Sequence, residues 1–342
     1  MFSGFGQFNY WLIKNLVNNN EEFNLVVNAA SRKSLKDFGK DVTYNKYYDL
    51  NRYKSFRIRK KYDLWHSLNQ NSKIEPFHDQ PYLLTFHDVI FMEKDKPEDR
   101  NPEKIQLLKE KIDRCDAIAF ISEHSRESAN QYFNIPPSIF QTVIYNGNPV
   151  VPIEEEIPAP KTSFSLKKPF LFCIGQFLEM KNFHSLVGML HYLEDYQLII
   201  AGNNDKPYGQ VVMQEINKFN LEDRVFLAGK ISEKEKHYYL KNCSAFVFPS
   251  LFEGFGLPPI EAMAYGKPVF LANRTSLPEI GGEYAFYWDD FDPHSMAQVF
   301  NKGMAEFEAN PEVYTAELKK RGSRFNWDTT AKEYLDLYRQ LT

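Results

Sequence analysis

Glu253 and Glu261 flank a loop that carries Gly254 and Gly256. The loop follows an apolar run ending at Phe248 and precedes Pro258 and Pro259. Two prolines suit a helix start, where a fixed φ helps and a missing N–H costs nothing. Gly266 then ends the helix, and Pro268 opens the next strand. Glycines let the main chain come close to a ligand. Free N–H groups and the dipole at a helix N-terminus favour phosphate or developing negative charge. The segment therefore has the parts of an anion site built from backbone. Glu261 is expected in the first helical turn, where it complements the dipole and is placed to accept hydrogen bonds from ribose hydroxyls. Glu253, in the loop, is placed to grip sugar hydroxyls. A capped helix with incidental glutamates is the plainer alternative.

Other chemistry-bearing residues are weaker signals. Asp290 and Asp292 form an acid pair one residue apart. They fall in a turn before Pro293 and are not expected to hold a metal. Residues 52–61 hold Arg52, Lys54, Arg57, Arg59, Lys60 and Lys61 among Tyr53, Phe56 and Ile58. Such a basic amphipathic stretch can touch anionic lipid or a lipid-diphosphate, although a solvated helix face is the ordinary reading of a charge run. Gly4 and Gly6 lie in a glycine-rich stretch, residues 1–6, read as a loop followed at once by a helical pattern. In a doubly wound domain a loop of that kind follows the first strand, and no strand is read before it here. Cys115, Cys173 and Cys243 are too scattered for a disulfide framework or a zinc site.

The elements that must position these residues alternate. Short apolar runs at 25–28, 64–67, 82–86, 117–121 and 142–145 read as buried strands, with a helix at 123–133. A second series at 170–174, 197–201, 225–227, 245–248 and 268–271 is interleaved with helices at 183–193, 209–219, 233–242 and 260–265. This alternation argues an α/β class with mostly parallel sheets. The length of 342 residues suggests two domains. Five prolines between 149 and 169 and the acidic run Glu154–Glu156 mark a linker. The expected domains are residues 1–152 and 153–326, with a last helix from 327 to 342. A net charge of −4 gives no drive toward nucleic acid. No apolar run reaches membrane-spanning length, and no secretory leader is read, so a cytoplasmic setting is expected.

The string PSLFEGFGLPPIEAMAYGKPV at 249–269 resembles the retaining group 1 glycosyltransferases, which carry two glutamates in an E-x7-E spacing. The following Asn273–Gly282 stretch continues the likeness. The resemblance covers nearly the whole chain. It implies a GT-B fold, with two Rossmann-like domains facing across a cleft and a C-terminal helix that crosses back to the first. Residues 174–182 are similar to the family's diphosphate-holding loop, with Gly175 and the cation Lys181; a second cation common in the family is here Gln176. His87 and Asp88 are similar to an N-domain motif whose histidine faces the sugar. Residues 121–126 resemble a further family element and make Arg126 a possible acceptor or phosphate contact. The implied activity is hexosyl transfer with retention from a nucleotide-diphosphate sugar to a saccharide or lipid-linked saccharide, in surface polysaccharide assembly. Lys181 and the Gly254, Phe255, Gly256 and Leu257 amides would stabilise the departing diphosphate, while Glu253, His87 and Lys181 serve catalysis. Gly4, Gly6 and Gly175 would border the donor. No cofactor or metal is called for. A non-catalytic sugar-nucleotide binder is the rival from a different class.

Overall fold

The computed structural model describes residues 4–31, 37–39, 42–162 and 164–342. The chain divides into two compact units, one of residues 1–147 with 325–342 and the other of residues 148–324. The division stands at Gly147 rather than after residue 152.

The first unit begins with α1 (Gly4–Asn19), β1 (Val26–Ala29), β2 (Thr43–Lys46), β3 (Trp65–Ser67) and β4 (Tyr82–Phe86). It continues with α2 (Ile90–Lys94), α3 (Pro102–Ile112), β5 (Ala117–Phe120), α4 (Glu123–Tyr132) and β6 (Phe140–Val143). Strands β3-β4-β5-β6 form a parallel sheet, and β1 and β2 form a separate parallel pair. β4 and β5 are buried along their whole length, as parallel strands covered on both faces must be.

The second unit carries β7 (Phe170–Ile174), α5 (Phe183–His191), β8 (Gln197–Ala201), α6 (Pro207–Lys218), β9 (Val225–Gly229) and α7 (Glu233–Asn242). Then follow β10 (Ala245–Phe248), α8 (Leu257–Ala264), β11 (Val269–Ala272), α9 (Leu277–Gly281), β12 (Phe286–Trp288), α10 (Pro293–Ala309) and α11 (Pro311–Ser323). Its six parallel strands run in the order β12-β11-β10-β7-β8-β9. That is the doubly wound order, with the reversal between β7 and β10.

The last helix, α12 (Trp327–Leu341), belongs to the first unit and packs along α1. Its hydroxyls enter a buried relay. Tyr338 Oη lies 2.7 Å from His66 Nδ1, His66 Nε2 lies 2.8 Å from Thr85 Oγ1, and Thr85 Oγ1 lies 2.8 Å from Tyr334 Oη. Gly147 is required at the start of this helix, because a Cβ there would stand 2.2 Å from the Trp327 nitrogen.

Three expectations change. Gly4 and Gly6 lie in the first turns of α1, not in a loop; Met1, Phe2 and Ser3 fall outside the described residues. A Cβ on Gly4 would meet nothing within 4 Å, so no close approach demands glycine there. The basic stretch is not a helix either. It forms two 3-10 turns, Asp49–Arg52 and Lys54–Phe56, and then a bridge from Ile58 to Pro76. Strand β2 (sequence TYNK) escapes an apolar search because none of its residues is buried.

Candidate active site

In a doubly wound sheet, loops that leave neighbouring strands in opposite directions open a crevice at the reversal point. Here those loops follow β7 and β10, and they carry Lys181 and Glu253. The β7 loop is shaped by close packing. Gly175 donates its N–H to the Ala201 carbonyl at 3.0 Å. Gly202 follows β8 with φ +151°, and a Cβ there would lie 1.9 Å from the Gly175 oxygen. The loop closes in a 3-10 turn, Glu179–Lys181, ended by Asn182 at φ 55°. The β10 loop is tied to it: Leu251 donates its N–H to the Met180 carbonyl at 2.8 Å, and the wholly buried Ser250 turns its hydroxyl toward the same oxygen at 3.4 Å.

These constraints bring the Lys181 ammonium onto the Glu253 carboxylate as an ion pair. Both side chains keep 14% exposure, enough to meet a ligand. The same ammonium stands 5.4 Å from the centre of the Phe248 ring. Behind Glu253, Thr275 Oγ1 accepts its N–H at 3.1 Å, and Ser276 Oγ reaches the Glu253 and Phe255 carbonyls at 3.0 and 2.6 Å. Thr275 adopts φ 50° to do so, a conformation that is costly for a β-branched residue and typical of functional sites. Gly256, at φ +121°, turns the chain into α8.

Glu261 departs from its expected place. Helix α8 already begins at Leu257, so both prolines lie inside it and Glu261 is past the first turn. Its carboxylate is 4% exposed and receives Lys236 Nζ from α7 at 3.0 Å. Burial raises the Glu261 pKa, against the pull of Lys236. Burial works to lower the Lys236 pKa, but Glu261 and Glu233 overcome it. Pro258 and Pro259 also remove two amides from the helix end. The turn that leads into α8 runs through Gly254, Phe255, Gly256 and Leu257.

In the first unit His87 follows β4 directly. Its ring is buried, with Phe5 and Phe8 of α1 edge-on at 4.8 and 4.6 Å between ring centres. Its Nε2 lies 2.9 Å from the Leu68 carbonyl, so Nε2 bears the proton and Nδ1 is the acceptor in the neutral ring. Burial lowers its pKa to about 4, opposed by the Leu68 bond. The backbone around it is stitched by Gln70, which accepts the His87 N–H at 3.1 Å and donates to the Asp88 carbonyl at 2.8 Å. Ser125 on α4 donates to the His87 carbonyl at 2.6 Å. Arg126, one residue on, pairs along the helix surface with Glu123 at 2.6 Å. Of the acid pair, Asp292 caps α10 by accepting the Ser295 N–H at 2.9 Å, which gives it a structural task.

Sequence reading did not single out Lys236, Gln70, Ser250 or Gly202, and it gave Thr275 and Ser276 no role. Thr275 and Ser276 fell within recognised text. Lys236 and Gln70 carry no local pattern, because only the fold turns them inward.

Comparisons with known proteins bear on the family and the fold. Residues 154–322 match the family model for glycosyl transferases group 1. The O-antigen chain mannosyltransferase B of Escherichia coli is 26% identical over 76% of this chain and 70% of its own length. The serotype-specific mannosyltransferase WbdA of Escherichia coli is also 26% identical, over 64% of this chain, which spans only 28% of that relative. Among solved structures, Anabaena HepE in complex with UDP-glucose matches with a TM-score of 0.75 and 17% identity, over 100% of this chain and 97% of that one. The α/β architecture of parallel sheets is thus that of the GT-B glycosyltransferases. On the residues of its reversal point and on these likenesses, residues 154–322 of the chain form a group 1 glycosyltransferase domain.

Proposed function

We propose that the protein transfers a hexosyl group, with retention of configuration, from a nucleotide-diphosphate sugar to a saccharide or lipid-linked saccharide in surface polysaccharide assembly. The observation that carries this reading is the Lys181–Glu253 pair at the reversal point. Without ligand, each charge neutralises the other. An arriving diphosphate offers Lys181 a stronger, doubly charged partner. Lys181 then turns to the phosphate, and Glu253 is released to the sugar hydroxyls. Lys181 and the Gly254–Leu257 amides stabilise the charge that develops on the leaving diphosphate, with Gly175 beside them. Glu261, held by Lys236, receives the ribose. His87 serves the sugar from the first unit as a neutral acceptor. Arg126 is assigned to the acceptor side. The leaving phosphate deprotonates the acceptor, so no second carboxylate is required. Lys181 supplies the positive charge that a metal supplies in other transferases, and turnover should survive a chelator.

The relatives named for O-antigen mannosyl transfer support a polysaccharide setting. No helix among the described residues is long and apolar enough to cross a membrane. Tyr48, Leu50, Tyr53 and Phe56 are more than half exposed beside the basic residues 52–61, and we assign this patch to peripheral contact with the inner face of an anionic membrane. The test is donor turnover. GDP, UDP, ADP and dTDP sugars are screened for a rise in melting temperature, and hydrolysis of the best donor is then compared in wild type and Glu253→Gln. Turnover lost with nucleotide affinity kept supports the transferase. A donor that binds without turning over in the wild type makes the protein a sugar-nucleotide binder instead.

A further inference from the structure

Helix α9 carries the support of Glu253 but is too short to hold itself. Thr275 and Ser276, which bond the Glu253 N–H and carbonyl, stand immediately before its first residue. The turn at Gly256 rests on the same helix, since a Cβ there would lie 3.1 Å from Leu277 Cδ2. Yet α9 has only 5 residues, and an isolated helix shorter than about 12–15 residues is marginal in water. Ser276 makes no side-chain cap for it. Its place must be set by other elements.

The holds are at its far end. The last carbonyls of a helix have no partner within it. Here half-buried Arg321 of α11 supplies donors. Its Nε donates to the Ile280 carbonyl at 3.1 Å and its Nη2 to the Glu279 carbonyl. A guanidinium suits this end, because its charge complements the helix dipole and its planar fork reaches two oxygens at once. Tyr287 of β12 adds a third hold, donating Oη to the Gly282 carbonyl at 2.6 Å. Gly282 sits at φ +69°, and a Cβ on it would stand 3.1 Å from Arg321 Nε. The next residue of α11 is pressed against α8, since a Cβ on Gly322 would lie 3.2 Å from Met263 Cβ. Arg321 and Gly322 thus join the helix that follows the Glu253 loop to the helix that supports it.

We infer that Arg321 is a positioning residue for Glu253, acting through α9, with Tyr287 as a second hold. Ile280 lies about 6 Å along the helix from Ser276, so the guanidinium works on the backbone that carries Ser276 and not on the sugar. Without it, two carbonyls at the helix end lose their donors, Ser276 loses its fixed place, and Glu253 drifts. Misplacement by about 1 Å at a reacting centre can cost about 100-fold in rate. The inference rests on Glu253 acting on the donor sugar, as proposed above. Lys181 lies on the β7 loop, outside this chain of contacts, so nucleotide binding is spared.

The test uses the full chain with Arg321→Met, Tyr287→Phe, Ser276→Ala and the double variant Arg321→Met with Ser276→Ala. Peptide-resolved amide exchange comes first, because it needs no turnover. Arg321→Met should speed exchange across residues 250–257 and 275–282 about tenfold and leave β7 and β8 as in wild type. Hydrolysis of the best-binding nucleotide sugar comes second. Arg321→Met should lower kcat about tenfold with donor Kd held within about twofold, and Tyr287→Phe should lower kcat severalfold. In the Ser276→Ala background the further loss should fall below about threefold, because the link is already cut. Unchanged exchange at 250–257 overturns the inference, as does a loss expressed wholly in Kd or one that multiplies in full in the double variant. If Arg321→Met fails to fold or loosens β7 and β8 as well, Tyr287→Phe decides by the same readings. A wild type that turns over no donor removes the transferase reading, and the exchange result then decides this inference alone.

Discussion

The pair of Lys236 and Glu261 permits a quantitative test. Both side chains are 5% exposed or less, and the charges stand 3.0 Å apart. At an effective dielectric of about 20, two unit charges at this distance attract by about 5 kcal/mol. Lys236→Met leaves Glu261 buried with no counter-charge, and breaking a buried pair costs about 3–5 kcal/mol. Glu233 cannot compensate, since it shares the sign of Glu261. Replacing both residues removes the stranded charge. Lys236→Met with Glu261→Met should lie within about 1 kcal/mol of wild type, because apolar replacements of buried pairs are often neutral. The assay is urea unfolding followed by peptide-resolved hydrogen exchange in β10 and β11, which isolates the second unit. The pH response gives a second reading. In Lys236→Met the folded pKa of Glu261 is raised further above its unfolded value near 4.3. The folded state then holds the proton more tightly, so the deficit should shrink as pH falls through that raised pKa and reappear as pH rises. A single variant within 0.5 kcal/mol of wild type, or a double variant as unstable as the sum of the singles, would refute the reasoning.

Other outcomes follow from the same structure. Lys181→Met should weaken binding of the nucleotide-diphosphate sugar by about 2 kcal/mol, or roughly 30-fold in Kd by calorimetry, since a charge-assisted contact to phosphate is lost. Lys181→Arg should recover part of it. His66, with a pKa lowered to about 3 by burial and secondarily by His87, and His87, at about 4, are both neutral when folded. Their folded values lie below the unfolded 6.5, so their contribution is full above pH 6.5 and is lost as pH falls. At pH 5 each should cost about 2 kcal/mol, and His66→Asn should flatten the fall in the first unit's urea midpoint between pH 7 and 5. Tyr53→Ser with Phe56→Ser should cut sedimentation with phosphatidylserine vesicles severalfold and leave neutral vesicles unaffected, with donor hydrolysis in solution unchanged.

The legible part of the site was the part written contiguously. Residues 249–282 hold the β10 loop, its glycines and the Thr275–Ser276 support in one stretch, and the strand before them is apolar throughout. Pro258 and Pro259 read as a helix opening that would put Glu261 in the first turn, whereas Leu257 is already helical. That shift turns Glu261 from the helix end to its buried face. Lys236 was invisible because its neighbours in α7 are mostly polar, so nothing local marks an inward charge. Gln70 lies in an irregular segment and gains its purpose only from β4 passing beside it. In the fold, helices α3, α10 and α11 went unread, although Asn101–Pro102, Asp292–Pro293 and Asn310–Pro311 offered starts of the kind a proline in the first turn provides.

The relay from α12 to His66 and Thr85 sets an order of events during synthesis. The first unit needs Tyr334 and Tyr338 to complete its interior, yet residues 148–324 must be made before they exist. From residue 148 to residue 342 is 195 residues, about 10–40 s at ordinary translation speeds. For that interval α1 and the back of β3 wait uncovered, while the second unit emerges with all its strands in hand. The second unit therefore has all its residues before the first does, and the first unit closes only once Tyr334 and Tyr338 have been made. A nascent chain held on the ribosome with all residues up to 324 emerged but α12 still hidden would display a complete second unit tethered to an open, protease-sensitive first unit.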